Sequence, residues 1–234
     1  MRLSLLLLAV ALGAGTSAGS QTQCPRVKPA PVSAEPAPWE SDIAQFEAAD
    51  ILNPPPKHAV LFVGGSSITL WPKLEVDFPR ADVIQRGFGG AELSALIWYA
   101  PRVILPYCPR LIVVYAGDND LASGRSPDDV LKDYKKFVAV VHGTLPETRI
   151  AFIAIKPSSA RVALLDKMRA ANALVRRYAS TNQKLLYVDV FTPMLGANGL
   201  PRDSLFQEDK LHLNTRGYAL WRDLLEPIVN GVGR

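Results

Sequence analysis

The segment Gly64-Gly65-Ser66-Ser67-Ile68-Thr69 sets two serines behind a pair of glycines. A serine on a tight turn after a strand holds its hydroxyl clear of the sheet edge, where it attacks a carbonyl once a base takes its proton. Of the two, Ser67 is the better placed candidate. The same composition also suits an ordinary loop or an anion-binding turn at a helix start, so the serines need partners before they imply catalysis.

The base is sought among three histidines, His58, His142 and His212. His58 precedes an apolar run and falls at the wrong end of a strand. His142 stands in the last turn of a helical pattern before Gly143, where the negative end of the helix dipole explains it. His212 lies in Asp209-Lys210-Leu211-His212, where a short turn returns the carboxylate to the imidazole and fixes its tautomer, as in a catalytic triad. Taken without a nucleophile, this stretch reads equally as a capped loop before a final helix opening at Asn214 or Thr215.

Two further segments carry hydrogen-bond donors for a developing oxyanion. Asn119, in Gly117-Asp118-Asn119-Asp120, offers a side-chain amide, and the turn Gly87-Phe88-Gly89-Gly90 offers unobstructed backbone N–H groups. Ordinary turns have the same composition. Asp118 to Asp120 also suit a weak cation site, but the later glycine and glutamate of an EF-hand are missing, which argues against calcium.

These segments must be positioned by regular elements. Apolar runs at Ala59 to Val63, Asp82 to Gln85, Leu111 to Tyr115, Ile150 to Ile155 and Leu185 to Val190 predict five buried strands. Helical patterns at Ala91 to Leu105, Pro127 to His142, Ala160 to Ser180 and beyond Asn214 alternate with them, which predicts a parallel sheet covered on both faces. The clearest helix opens with Ser126 as cap and Pro127 in its first turn, and buries Val130, Tyr134, Phe137, Val138 and Val141. A shorter one is expected from Ser41 as cap, with Ile43 and Phe46 sharing a face. In an open parallel sheet ligands gather beyond the carboxyl ends of the strands, and the serine, glycine and asparagine segments all follow predicted strands.

Four segments in this order and spacing resemble the SGNH hydrolases, also called the GDSL esterase family, over nearly the whole chain from Ala59 onward. Gly65-Ser66-Ser67-Ile68-Thr69 is similar to that family's Gly-Asp-Ser block, which implies Ser67 as nucleophile and its N–H as a first oxyanion donor. Gly90 matches the glycine whose N–H is the second donor, Asn119 the asparagine that is the third, and Asp209 with His212 the Asp-x-x-His pair. In this register Ser66 stands in place of the usual aspartate, and Gln85 where asparagine is common. The resemblance implies a flavodoxin-like three-layer α/β/α sandwich with a five-stranded parallel sheet and a serine esterase acting without cofactor or metal. An ordinary α/β-hydrolase is a poorer fit, because Thr69 occupies the second glycine position of its Gly-x-Ser-x-Gly elbow. An acyltransferase, or a carbohydrate-binding protein that has lost catalysis, would use the same scaffold. Substrates known for the family include esters of lipids, saccharides and small molecules, and fold does not choose among them.

The remaining features bound the setting. Residues 1–18, with Arg2, an apolar run from Leu5 to Leu12 and small residues to Ala18, read as a signal peptide, so the protein is expected to be exported. No run is long enough for a stable membrane span. Residues 19–40 read as a proline-rich arm and 41–234 as one hydrolase domain. Lys and Arg total 26 against 22 Asp and Glu, interspersed rather than clustered, which excludes a nucleic-acid footprint. Only Cys24 and Cys108 occur; an oxidising compartment would allow them to pair, tying arm to domain. Trp71, Phe88, Trp98 and Tyr115 are open to two readings, acyl-pocket lining or core, and Lys156-Pro157-Ser158 follows the fourth strand near the expected site.

Overall fold

The computed structural model describes residues 38–231. The leader at 1–18, most of the arm at 19–40 and Cys24 lie outside those residues. In chain order the elements are α1 (Glu40–Leu52), β1 (Val60–Gly64), α2 (Ser66–Thr69), α3 (Leu74–Asp77), β2 (Val83–Gly87), α4 (Leu93–Val103), β3 (Leu111–Tyr115), α5 (Asp118–Ala122), α6 (Pro127–Thr144), β4 (Arg149–Ile153), α7 (Leu165–Ala179), β5 (Leu185–Val188) and α8 (Thr215–Gly231). A 3-10 stretch, Ser159–Leu164, leads into α7.

The apolar runs form one parallel sheet in the order β2-β1-β3-β4-β5. Every residue of β1 and β3 is buried, whereas the edge strands β2 and β5 mix buried and half-buried residues. This is why the central strands read as unbroken hydrophobic sequence. Phe62, Val113 and Ala151 share one row of the sheet, and Val63, Val114 and Phe152 share the next. Successive rows face opposite ways. On one face Phe62 meets Trp71 and Phe78, and Trp221 of α8 packs on Trp71 and Tyr115. On the other, Phe152 meets Tyr134 of α6, which in turn meets Tyr178 of α7. Helices therefore cover both faces, as the alternation of patterns predicts.

Helix α6 starts as expected, with Ser126 Oγ accepting from Asp129 N–H at 3.1 Å and the Asp129 carboxylate returning to Ser126 N–H at 3.1 Å. Its predicted stripe is buried throughout. Helix α1 differs from expectation: its N-cap is Trp39 and Ser41 lies inside the first turn. Its anchorage is ionic instead. Arg102 of α4 reaches Glu40 at 2.7 Å and Glu47 at 2.6 Å, and Asp50 pairs with Arg86 of β2.

The strand order fixes where a site can form. The chain passes from β1 outward to β2 and then returns to place β3 on the other side of β1. The connections leaving β1 and β3 thus diverge at their carboxyl ends, opening a crevice at a topological switch point. Gly65-Ser66 follow β1 and Ala116 to Asn119 follow β3, one on each side of it.

Candidate active site

Beyond β1 the chain turns at Gly65, the N-cap of α2, and Ser66 is the first helical residue. The opening N–H groups of a helix have no partner within it, so the amides at Ser66 and Ser67 are available to an anion. Two contacts press this turn onto the sheet. Gln85 of β2 donates from Nε2 to the carbonyls of Ile68 at 2.5 Å and Trp71 at 3.2 Å. At Gly87 a Cβ would stand 2.3 Å from Thr69 N, so only glycine permits the approach. Gln85, a departure in the family pattern, is thus the residue that ties α2 down.

The two serines diverge here. His212 Nε2 lies 3.1 Å from Ser66 Oγ, not from Ser67. Ser67 is 1 % exposed, its Oγ is buried without a hydrogen-bond partner, and its carbonyl accepts from Tyr218 Oη at 3.1 Å. The physical reason is helical: one residue along a helix is a rotation of about 100°, so when Ser66 faces the crevice Ser67 faces the core. The expectation that Ser67 meets the histidine is therefore corrected: Ser66 does, and the expected roles of Ser67 as nucleophile and oxyanion donor lose their geometric support. Its sequence signal lies in the strand end. Gly64-Gly65-Ser66 fits Gly-Asp-Ser when counted forward from β1, and in that register Gly65 holds the aspartate position.

Asp209 and His212 come together as expected. Asp209 Oδ2 lies 2.6 Å from His212 Nδ1, while its Oδ1 accepts from the N–H groups of Leu211 and His212, both at 2.9 Å. Those backbone donors, with the imidazole behind them, hold the Asp209 carboxyl down at about 2. It is a carboxylate throughout the neutral range and binds the Nδ1 hydrogen, which leaves Nε2 free to accept from Ser66. His142 Nε2 instead meets the Thr148 carbonyl at 2.9 Å, at the amino end of β4, and His58 precedes β1 at the same edge of the sheet.

Across the crevice, Asn119 lies in the first turn of α5 with Nδ2 directed at the Ala91 carbonyl, 3.2 Å away. A Cβ at Gly65 would sit 3.1 Å from that nitrogen, so the amide lies directly against the turn that bears Ser66. Gly90, with φ +77°, precedes Ala91 in the loop after β2. Gly90 and Asn119 thus border the same turn as Ser66.

Behind Asn119 stands an ion cluster that sequence reasoning did not assemble. Asp118, 4 % exposed, binds Lys156 Nζ and Arg161, each at 2.6 Å, and accepts from Tyr115 Oη at 3.1 Å. Burial pushes the Asp118 carboxyl up, but the two cations outweigh it and hold it below the ordinary value. Removing one partner of such a buried set costs about 3–5 kcal/mol, because a charge is left unpaired. Arg161 also donates from its second nitrogen to Asn119 Oδ1 at 3.1 Å. The available signal was positional, since Arg161 follows β4 at the same sheet edge as Ser66. Trp71, Phe88 and Tyr115 are buried core residues, and Trp98 is exposed. Among the described residues no group of three or more His, Cys, Asp or Glu could hold a metal ion, and no helix is long and apolar enough to cross a membrane.

The model of the GDSL-like lipase/acylhydrolase family matches residues 62–220, from within β1 to within α8. The chain belongs to this family. Its fold recurs in solved members and relatives. A Bacteroides fragilis protein assigned as an acylhydrolase shares 21 % identity at a TM-score of 0.73, covering 86 % of this chain and 100 % of its own. A GDSL-like lipase from Bacteroides thetaiotaomicron shares 19 % at 0.68, covering 81 % and 97 %. A catalytic mutant of an acetylxylan esterase from Geobacillus stearothermophilus shares 12 % at 0.59, covering 76 % and 95 %. At these identities the likeness is one of fold. No curated protein matches by sequence. Within the family's pattern, this chain places glycine at 65 and gathers Ser66, Asp209, His212, Asn119 and Gly90 around one crevice.

Proposed function

We propose that this protein is an exported serine esterase that cleaves short acyl or acetyl esters through an acyl-enzyme on Ser66. The observation that carries the reading is the continuous relay from Asp209 through His212 Nδ1 and Nε2 to Ser66 Oγ, at 2.6 and 3.1 Å. His212 Nε2 takes the hydroxyl proton as Ser66 Oγ bonds to the ester carbonyl carbon. The carbonyl oxygen becomes an oxyanion, met by the N–H groups of Ser66 and Gly90 and by Asn119 Nδ2. Collapse breaks the bond to the alcohol oxygen, which leaves with the proton held on His212. Water then repeats the sequence, giving its proton to His212, and releases the acid and free Ser66.

Several observations support the finer parts. The relay is partly open to solvent, with the His212 side chain 27 % exposed, which suits substrates whose alcohol portion is large and remains in water, such as an acetylated saccharide. The acetylxylan esterase of related fold is named for such a substrate. Export rests on the leader sequence at 1–18.

The test is hydrolysis of p-nitrophenyl esters from acetyl to octanoyl, and of acetylated xylan, by the purified protein and by Ser66→Ala. Turnover falling steeply with acyl length, and lost by at least about a thousandfold in the variant, is expected. Full activity in Ser66→Ala contradicts the reading.

A further inference from the structure

Two of the three donors assigned to the oxyanion sit on groups that can turn, and each is gripped from behind. The peptide joining Gly89 to Gly90 is the central one of a turn closed by Ala91 N–H on the Phe88 carbonyl at 3.2 Å, and neither glycine has a side chain to fix which way that peptide plane faces. Trp39, at the head of α1, donates from Nε1 to the Gly89 carbonyl at 2.7 Å. A trans peptide is planar, with its C=O and N–H pointing in opposite directions. Fixing the Gly89 oxygen toward Trp39 therefore fixes the Gly90 N–H away from it. The indole is held in turn by edge-to-face packing on Phe88, at 5.9 Å between centroids, and by the Glu40 and Glu47 contacts that bind α1 to Arg102.

Asn119 presents the same problem in another form, because a primary amide rotated by half a turn would offer an oxygen where a donor is needed. Arg161 carries only donors. Its bond to Asn119 at 3.1 Å therefore demands Oδ1 on that side and turns Nδ2 toward Ala91 and Gly65. Arg161 is itself fixed at 2.6 Å to the buried Asp118.

Resting on the esterase reading, we infer that Trp39 and Arg161 are positioning residues that orient the two mobile oxyanion donors of this site. Neither touches the reacting atoms. Trp39 acts through the Gly89–Gly90 peptide, and Arg161 through the Asn119 amide. The helix that precedes the sheet is thereby part of the catalytic apparatus.

The decisive variant is Trp39→Phe, which keeps an aromatic ring against Phe88 and removes the indole N–H. With p-nitrophenyl acetate, kcat is expected to fall about tenfold while KM stays within about twofold, because only the transition state carries the oxyanion. The inhibition constant of a methyl trifluoromethyl ketone, which a serine converts to a tetrahedral oxyanion, should weaken by a similar factor. A merely structural role predicts unchanged kcat in any variant that folds. Arg161→Lys tests the second grip independently: it keeps a cation on Asp118 but cannot bind Asp118 and Asn119 with a planar fork, and the same split of kcat from KM is expected. Wild-type kcat and ketone affinity in both variants overturn the inference. If the wild-type protein hydrolyses esters and Ser66→Ala does not, that failure leaves the esterase reading standing; an inactive wild type defeats that reading first.

Discussion

The turn bearing Ser66 and the loop bearing His212 meet at one hydrogen bond, yet they are built by opposite means. The turn is imposed from outside: β1 is wholly buried, Gln85 holds two carbonyls of the turn, and Gly87 lets it lie flat on β2. The loop buries Leu205, Phe206 and Leu213 in the core, but its exposed tip is shaped by its own hydrogen bonds. Gln207 N–H donates to the His212 carbonyl at 2.8 Å, Lys210 N–H to the Gln207 carbonyl at 3.0 Å, and Lys210 takes a left-handed φ of 56°. Its outside ties are few, among them Ser159 Oγ to Asp203 at 2.5 Å and Ala160 N–H to the Lys210 carbonyl at 3.3 Å. Asp209 organises this loop through the N–H groups of Leu211 and His212 and, in the proposed mechanism, is also the triad acid.

Asp209→Asn separates these two duties and carries the largest effect. The side-chain oxygen that the substitution retains keeps the backbone N–H bonds, while the new NH2 group faces His212 Nδ1 and favours the wrong tautomer. A loss in kcat of about 10³ to 10⁴ is expected with the fold unchanged. If activity is retained, the loop needs Asp209 only as a turn former. Asn119→Ala probes the wall facing the turn, and removal of one oxyanion donor should lower kcat by about 10² to 10³ with KM little changed. A parallel rise in KM alone would mean that Asn119 binds ground-state substrate instead.

The smallest effect sharpens the contrast through stability. Asp120, 2 % exposed, accepts from Leu93 N–H at 3.1 Å and Gly117 N–H at 2.9 Å, but burial outweighs these bonds and pushes its carboxyl up to about 6. Asp209, on the open loop, is held at about 2. The signs are opposite. A raised folded value favours the fold below the unfolded value near 3.8, and that contribution is lost as pH rises through about 6. The Asp209 contribution is present above about 3.8 and lost as pH falls through about 2. Urea unfolding should therefore show wild type more stable relative to Asp120→Asn at pH 4 than at pH 7, by up to about 3 kcal/mol. An equal or reversed difference contradicts the burial argument.

Much of this is legible in the sequence, where it depends on regular elements. Five apolar runs alternating with helical patterns suffice for a covered parallel sheet, and Ser126-Pro127 marks a helix start that the capping bonds reproduce. Asp209 and His212 can be paired because three residues of spacing close a turn without help from the rest of the fold. The choice between Ser66 and Ser67 cannot be made from residue type, since it turns on the point where β1 ends and helical rotation begins. Arg161 and Trp39 escape for a different reason. They stand 42 residues after Asn119 and 50 before Gly89, and only the folded chain brings them to the donors. Trp39 also falls within the proline-rich stretch that reads as an arm, although the ion pairs of α1 make its neighbourhood an ordered helix.

The central claim is the identity of the acylated serine, and covalent labelling tests it most directly. A fluorophosphonate should phosphonylate Ser66, as located by fragmentation of the labelled peptide, with labelling abolished in Ser66→Ala and His212→Ala and retained in Ser67→Ala. A label found on Ser67, or lost on Ser67→Ala in a folded protein, would contradict the account.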